Sequence, residues 1–323
     1  MTKRLSILIT ALLLVSTAST GLTKVQAADW PTWRGADRTD ISTEKGLLQS
    51  WPQGGPKQLW TFKNAGSGYS GFAIANGTLY TLGTRNGKEI LIALDAATGK
   101  DKGAVVVGDI LSNNWGNGPR GTPTVAGGIV YAMGGGGSLI AADAKTGVIK
   151  WKVNMSNFGG KRPGWGYCES VTVEGDKVIC TPGGSQGSML ALRVKDGSKI
   201  WQSSGITDGA QYASILPIEH NGMRQYVQLT QQHVFGVDAT SGKVAWQSPW
   251  EGRTAVVPTP IHKDGHVYIS SGYGVGCKLV KLGNGSATEV YRNQIMKNHH
   301  GGVLLVGDYL YGYSDGPGWI CQN

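Results

Sequence analysis

The stretch Leu91-Ile92-Ala93-Leu94-Asp95-Ala96-Ala97-Thr98-Gly99-Lys100 decides the fold, because the chain repeats its pattern. Its apolar run predicts a strand. Its Asp, Thr and Gly predict a tight turn, since an Asp side chain can bond the backbone two residues on and Gly tolerates positive φ. Three further copies each lead to a tryptophan, over residues 139–151, 190–201 and 234–246. A fixed repeat of this length is the signature of a repeat architecture.

Each repeat unit contains four predicted strands. An apolar strand, a Gly-containing turn and a second strand precede the stretch quoted above, and a fourth strand follows its turn. Four strands in a period of roughly 45 residues are typical of one blade of a β-propeller. The 51 glycines supply many tight turns, and almost no helix is expected. The predicted fold class is therefore an all-β propeller of four-stranded blades.

The number of blades is left between two alternatives. Five complete units run from about residue 66 to 292, and a sixth has three predicted strands before Asn323, so about five and a half blades are present. The segment 56–62 predicts a final strand with no unit before it. This strand could close a six-bladed ring, which removes sheet edges. Alternatively, the sequence is a fragment of a larger ring.

Two segments precede the propeller, which is assigned to residues 56–323. Residues 1–27 combine Lys3 and Arg4, an apolar run and a small-residue end, the pattern of a cleavable signal peptide. The protein is thus expected to be exported, to the periplasm or the extracellular space, with no transmembrane segment after cleavage. Residues 28–55 form a predicted N-terminal arm. Its Trp30 and Trp33 need burial, so we expect it to pack over the main body.

Charge and cysteine content exclude some classes of function. The formal net charge of +9 is scattered, with no basic block, which argues against nucleic-acid binding. No cysteine or histidine spacing fits a zinc site, and no metal is assigned. Cys168 and Cys180 flank a predicted turn and could form a disulfide, or could be free buried cysteines. Cys277 and Cys321 are the other two cysteines.

The repeated L-x-A-L-D-x-x-T-G-x-x-x-W pattern resembles the blade motif of the pyrroloquinoline-quinone-like (PQQ-like) propellers. That superfamily includes quinoprotein dehydrogenases and the propeller lipoprotein of the outer-membrane barrel-assembly machinery. The opening 30–35 (WPTWRG) and the stretches 299–302 and 318–320 resemble an exported bacterial subgroup of it. Members usually have eight blades, which implies that this chain is a C-terminal truncation of an eight-bladed ring.

The resemblance also implies roles for particular residues. In the superfamily the aromatic of the last strand stacks between blades on a Gly-rich turn, which implies a structural docking role for Trp60, Trp151, Trp201 and Trp246. Quinoprotein alcohol dehydrogenases of the superfamily use adjacent cysteines, Glu/Asn/Asp calcium ligands, a Trp floor and a catalytic Asp. This chain has no adjacent cysteines.

Functional residues of a propeller are expected in the loops between blades. The candidates there are Asn114, Trp115, Arg120, Trp165, Glu169, Tyr212, Arg253, His299 and His300. Arginine and tryptophan on one rim could clamp a carboxylated planar ligand. Alternatively, these side chains fill the channel and hold loops together. Glu169 and Asn114 could contribute to a calcium site, and the two histidines suit hydrogen bonding at the rim.

The blade motif is complete, whereas the catalytic residues of quinoprotein dehydrogenases are only partly present. The sequence therefore predicts an exported, non-catalytic scaffold that binds a protein partner or envelope ligand. No cofactor is expected and catalytic residues are unknown. One alternative is a PQQ-dependent quinoprotein-type oxidoreductase with calcium, which requires Trp115, Arg120, Glu169 and Arg253 to converge in one pocket. Another is a carbohydrate- or polymer-binding module that uses rim aromatics such as Trp165 and Tyr212.

Overall fold

The four repeated stretches form the third strands of the first four of six antiparallel sheets in a computed structural model, which describes residues 28–323. Five sheets have four strands in sequential order and the last has three. Apart from one short 3₁₀ helix, Met155–Phe158, the described residues are strands, turns and loops. The all-β propeller prediction is confirmed. The predicted signal peptide, residues 1–27, lies outside the described residues.

We call the sheets blades 1 to 6. Blade 1 comprises β1 (Phe72–Ala75), β2 (Thr78–Arg85), β3 (Lys88–Asp95) and β4 (Asp101–Asp109). Blade 2 comprises β5 (Thr124–Ala126), β6 (Ile129–Met133), β7 (Ser138–Asp143) and β8 (Ile149–Asn154). Blade 3 comprises β9 (Thr172–Glu174), β10 (Lys177–Cys180), β11 (Leu190–Arg193) and β12 (Lys199–Gln202).

Blade 4 comprises β13 (Leu216–His220), β14 (Met223–Leu229), β15 (His233–Asp238) and β16 (Val244–Pro249). Blade 5 comprises β17 (Ile261–Lys263), β18 (His266–Ser271), β19 (Gly276–Leu282) and β20 (Ala287–Asn293). Blade 6 comprises β21 (Leu304–Val306), β22 (Tyr309–Ser314) and β23 (Gly318–Gln322). The first strands of neighbouring blades adjoin, as β1 and β5 do, so they line a common hub.

The Asp/Thr/Gly turns join the third and fourth strands by a repeated set of hydrogen bonds. The Oδ1 atom of Asp95 accepts bonds from the backbone N and Oγ1 of Thr98, at 2.9 and 2.7 Å. Asp143 and Asp238 make the same pair of bonds to Thr146 and Ser241. The short polar side chains therefore satisfy the turn backbone, which explains why the pattern recurs.

Three of the four predicted docking tryptophans lie against the glycine turn of the blade that follows them. The indoles of Trp60, Trp151 and Trp201 face Gly99, Gly197 and Gly242, at each of which a Cβ would come within 3 Å of the ring. Each indole Nε1 donates to a carbonyl of the same turn, those of Ala96, Val194 and Ala239. Glycine is needed here because the ring covers the place that a side chain would fill.

Trp246 is a correction to that prediction. Its ring is buried between blades 4 and 5, but it lies over Gly236 of its own sheet and donates to Gln225 Oε1 at 2.7 Å. Because Gly236 is its cross-strand partner and has no side chain, the indole can fold back onto its own blade. No contact with a blade 5 glycine turn forms among the described residues.

The six-bladed alternative required residues 56–62 to pair with the last blade. Within residues 28–323 this segment forms no strand and pairs with no strand of blade 6. Its Trp60 instead lies on the turn of blade 1, in the same relation that Trp151 has to blade 3. Residues 56–62 therefore do not close a six-bladed ring in this structure.

The first part of the N-terminal arm, residues 28–40, runs through the hub, and we call it the hub segment. It makes a hydrogen bond to each of the six blades. The partner residue lies in the blade's first strand or one or two residues before that strand: Ile74, Thr124, Val171, Ile215, Thr259 and Val303. We expected the arm to pack over the main body, and this part of it lies against the first strands of the blades. Residues 41–55, which we call the linker, are largely exposed.

Arg38 anchors the hub segment, although tryptophans were expected to do so. Its guanidinium donates to the carbonyls of Val171 at 2.8 Å and Ile215 at 3.0 Å, and more weakly to that of Ser170. Arg34 donates to Val303 at 2.7 Å and pairs with Asp40. Both arginines are buried while Trp30 and Trp33 are only half-buried, because a guanidinium has enough donors for the carbonyls that point into the hub.

The four cysteines, all of them within the described residues, are free. Cys180 is buried, with its sulfur 3.7 Å from that of Met155, and Cys168 lies in the loop before β9. Of the two possibilities that the sequence left open for this pair, the structure has the free buried cysteine rather than the disulfide.

Candidate binding face

One side of the propeller carries both the loops between blades and the hairpins that join second to third strands. This follows because successive strands run antiparallel, so each blade is entered and left on the same side. We call this side the loop face. Its loops lie between β4 and β5, β8 and β9, β12 and β13, β16 and β17, and β20 and β21.

Two tryptophans and two asparagines form a shallow pocket on the loop face. Its lining comprises Asn113, Asn114, Trp115, Gly164 and Trp165. Asn113 Nδ2 donates to the Gly164 carbonyl at 2.8 Å, which ties the two loops together. Trp115 is 77% exposed, so its apolar ring faces solvent from a loop fixed by hydrogen bonds. An exposed ring held in this way suits contact with another molecule.

The aromatic surface continues towards blade 4. The Trp165 and Tyr212 rings lie 5.7 Å apart, and the Trp165 backbone N donates to the Tyr212 hydroxyl at 3.3 Å. Burial raises the pKa of Tyr212 above its usual value. This tyrosine is buried and serves mainly to position the tryptophan beside it.

Arg120 is held within its own loop. Its Nη1 and Nη2 donate to the carbonyls of Gly118 and Gly116, both at 2.8 Å, and its guanidinium lies 5.1 Å from the centre of the Tyr69 ring. The guanidinium is therefore already engaged by two backbone carbonyls and one aromatic ring. Arg120 therefore stabilises the loop, the alternative that the sequence left open beside ligand binding.

Glu169 is a correction, because it does not lie on the rim. It is 1% exposed and accepts bonds from the backbone N and Oγ1 of Thr181, at 2.7 and 3.2 Å. Gln228 donates to the same hydroxyl from blade 4. The carboxyl faces inward because it satisfies the start of a hairpin, so it is unavailable for a calcium site with Asn114.

Burial raises the pKa of Glu169 from 4.5 to about 8, and the hydrogen bonds from Thr181 and the charge of Arg38 oppose this only in part. The folded protein thus keeps a proton that the unfolded chain loses above pH 4.5. The resulting stability is complete below that pH and is lost as the pH rises towards 8. We expect Glu169→Gln to remove this part of the pH dependence, measured as urea midpoints at pH 5 and pH 8. A variant whose midpoint falls as steeply as the unaltered protein's would contradict this assignment.

The two predicted rim histidines lie beside a hairpin of blade 6. His299 Nδ1 lies 3.1 Å from Asp315 Oδ2, and the His299 ring is 4.1 Å from that of Tyr273 and 4.5 Å from that of His300. Burial and the neighbouring His299 lower the pKa of His300. These contacts hold the loop before β21 against blades 5 and 6.

Sequence reasoning missed a second Asp–His pair. Asp208 Oδ2 lies 2.9 Å from His233 Nδ1, and Thr230 also donates to Asp208. It also missed Glu89, which is buried and accepts bonds from the backbone N of Leu111 and Gly135. His233 and Glu89 lie next to second-to-third hairpins, which strand alternation places on the loop face although candidates were expected only in the loops between blades. Asp208 lies in one of those loops, but nothing local marks its pairing with His233.

The residues that the oxidoreductase alternative requires do not converge. Trp115 lines a pocket that includes none of Arg120, Glu169 and Arg253. Arg253 is exposed in the loop before blade 5. Among residues 28–323 no cluster of three His, Cys, Asp or Glu side chains is arranged to hold a metal ion.

The family model described as outer membrane protein assembly factor BamB matches residues 87–321 of this chain. The chain belongs to this family. The BamB of Yersinia pestis is 25% identical to it over 240 residues, which cover 67% of this chain and 55% of that protein. The chain thus spans little more than half the length of this BamB relative. The resemblance to PQQ-like propellers drawn from the repeats is confirmed.

Solved structures share the fold. The BamB structure from Moraxella catarrhalis has a TM-score of 0.51 at 15% identity, and the match covers 79% of this chain and 72% of the BamB chain. The quinohemoprotein alcohol dehydrogenase of Comamonas testosteroni has a TM-score of 0.57 at 15% identity, covering 90% of this chain and 51% of its own. Identities this low indicate shared architecture and do not extend to activity. No helix in the described part of the chain has the length and apolarity needed to cross a membrane.

Proposed function

We propose that this BamB-family chain is a non-catalytic scaffold that acts in the bacterial periplasm and binds a protein partner through its loop face. The observation that carries the proposal is the exposed Trp115 ring, held beside Trp165 by the hydrogen bond from Asn113 to the Gly164 carbonyl, which joins their two loops. Rigid exposed aromatics are the residues that most often anchor protein interfaces. The relatives' description as outer membrane protein assembly factors supports a partner among outer-membrane proteins or the factors that assemble them.

The polar candidates support a scaffold rather than an enzyme. The Arg120 guanidinium is engaged by carbonyls, Glu169 is buried against Thr181, and His299 is paired with Asp315. A general acid, base or metal ligand must reach a substrate, and these groups are bound to the protein itself. The proposal accordingly assigns no cofactor.

Alanine at Trp115 and Trp165 is expected to weaken the partner complex at least tenfold. Each substitution removes a large apolar contact, and loss of an interface anchor costs about 2 kcal/mol or more. The measurement is quantitative co-purification from envelope extracts of cells that carry each variant. Trp51→Ala is the matched control, because Trp51 is 72% exposed but lies in the linker, and it should bind as the unaltered protein does.

Two results would contradict the proposal. One is equal partner recovery for the Trp115, Trp165 and Trp51 variants. The other is recovery of no partner together with dye-linked alcohol oxidation on addition of PQQ and calcium, which would indicate a quinoprotein enzyme. Binding to a glycan array that is lost in the Trp165 variant would instead indicate a carbohydrate-binding module.

A further inference from the structure

One position of the blade repeat is tryptophan or tyrosine in four blades and glycine in blade 1. The position lies on the fourth strand of each four-stranded blade. Its partner on the third strand is the residue just before a register shift, or β-bulge, that recurs in all five of these blades. The pairs are Ala93–Gly103, Ala141–Trp151, Ala191–Trp201, Gly236–Trp246 and Leu279–Tyr291. Gly103 therefore stands where Trp151 and Trp201 stand in the next two blades.

The blade 2 turn that would receive this indole is intact. Its Asp143, Thr146 and Gly147 match the Asp, Thr and Gly of the turn that Trp60 covers, and Gly147 has a φ of 73°. The turn that Trp201 covers has Ser241 in place of the threonine. A Cβ built on Gly103 would meet no atom within 4 Å, so the space beside it is open. The turn is thus present without its tryptophan, and a Cβ on Gly147 would meet Val105 Cγ2 at 3.1 Å, so Val105 covers the glycine instead.

A cavity of about 300 Å³ lies at this place between blades 1 and 2. Its walls include Gly103, the turn residues 143–148, and the apolar side chains of Leu91, Val105 and Val130. Leu91 and Val130 are buried, so the walls belong to the packed core rather than to mobile loops. The volume is at the lower end of the range for small-molecule sites.

The polar end of the cavity also matches an indole. In the equivalent sites the indole N–H donates to a turn carbonyl, as from Trp151 to Val194 and from Trp201 to Ala239. The corresponding blade 2 carbonyl, that of Ala144, accepts a 3.0 Å bond from the Tyr80 hydroxyl. A carbonyl oxygen has two lone pairs, so a second donor can still be accepted.

We propose that the cleft between blades 1 and 2 is a binding site for a free, planar indole-type heterocycle. The ring would lie in the open space beside Gly103, against Val105 and Val130, with its N–H towards the Ala144 carbonyl. The protein's own Trp60, Trp151 and Trp201 define the size and polarity that such a surface accepts. The lining joins an aliphatic wall to polar groups that include Thr78, Lys102 and Asp143, and a planar ring with one N–H suits such a mixed site.

The test is equilibrium dialysis of the full chain with free indole. One equivalent is expected to bind. Ala93→Phe, which fills the cavity from its third-strand wall, should weaken binding at least tenfold, while Ala97→Phe, on the exposed turn of the same blade, should not. Loss of the N–H in 1-methylindole should weaken binding by about 2- to 10-fold, the worth of one hydrogen bond.

A second measurement uses the unaltered protein, in case Ala93→Phe does not fold. Intermolecular NOEs are expected from indole to the methyl groups of Val105 and Val130. Three results would overturn the proposal: no indole binding, equal binding by the Ala93 and Ala97 variants, or NOEs to other methyl groups alone. Binding of N-acetyltryptophanamide more than tenfold tighter than that of indole would also overturn it, since the occupant would then be a partner's tryptophan side chain.

Discussion

Arg38→Ala is expected to lower the free energy of unfolding by about 3–5 kcal/mol, the cost of breaking a buried charged network. The guanidinium donates to carbonyls that precede the first strands of blades 3 and 4, and its removal leaves the Ser170 carbonyl without a donor in the hub. Alanine can neither donate nor fill that space. The measurement is urea denaturation followed by circular dichroism.

The arginine chemistry can be separated from loss of side-chain volume. Arg38→Lys keeps the charge but not the planar fork of donors, so it should recover only part of the loss. Arg253→Ala removes an exposed arginine and should change the free energy of unfolding by no more than about 0.5 kcal/mol. Equal stability of the Arg38 and Arg253 alanine variants would show that the hub segment does not hold the blades together.

Trp201→Ala is expected to destabilise the protein by about 3–5 kcal/mol, the usual cost of removing a buried aromatic ring. The indole covers Gly242 and donates to the Ala239 carbonyl at 3.2 Å, so its loss opens a cavity between blades 3 and 4. Trp51→Ala, at an exposed linker position, is the matched control and should have little effect. A midpoint shift for Trp201→Ala no larger than the control's would contradict the docking role of this residue.

The blades could be predicted from sequence because their determinants are local. The Asp95–Thr98 and Asp143–Thr146 contacts span three residues, and the same pattern recurs in blade 4 between Asp238 and Ser241. Strand alternation then fixed which loops share a side. Tryptophan docking followed the same logic except at Trp246, where Gly236 on the neighbouring strand leaves room for the ring to lie on its own blade.

The hub segment could not be predicted in the same way. Arg38 meets the Val171 and Ile215 carbonyls across 133 and 177 residues, and no local pattern marks a backbone carbonyl as needing a distant donor. For the same reason Glu169 looked like a loop residue, although its carboxyl turns inward to Thr181. Three residues that line the exposed pocket, Asn114, Trp115 and Trp165, were among the predicted candidates. The sequence did not indicate that Arg120, Glu169 and Arg253 would lie outside this pocket.

Photo-crosslinking in living cells tests most directly whether the loop face binds the protein partner. A photoreactive amino acid replaces Trp115 on the loop face or, in a second strain, Lys195 in the turn on the opposite side of blade 3. The account predicts a discrete protein adduct from position 115 and none from position 195. An adduct from position 195 alone, or the same adduct from both positions, would contradict it.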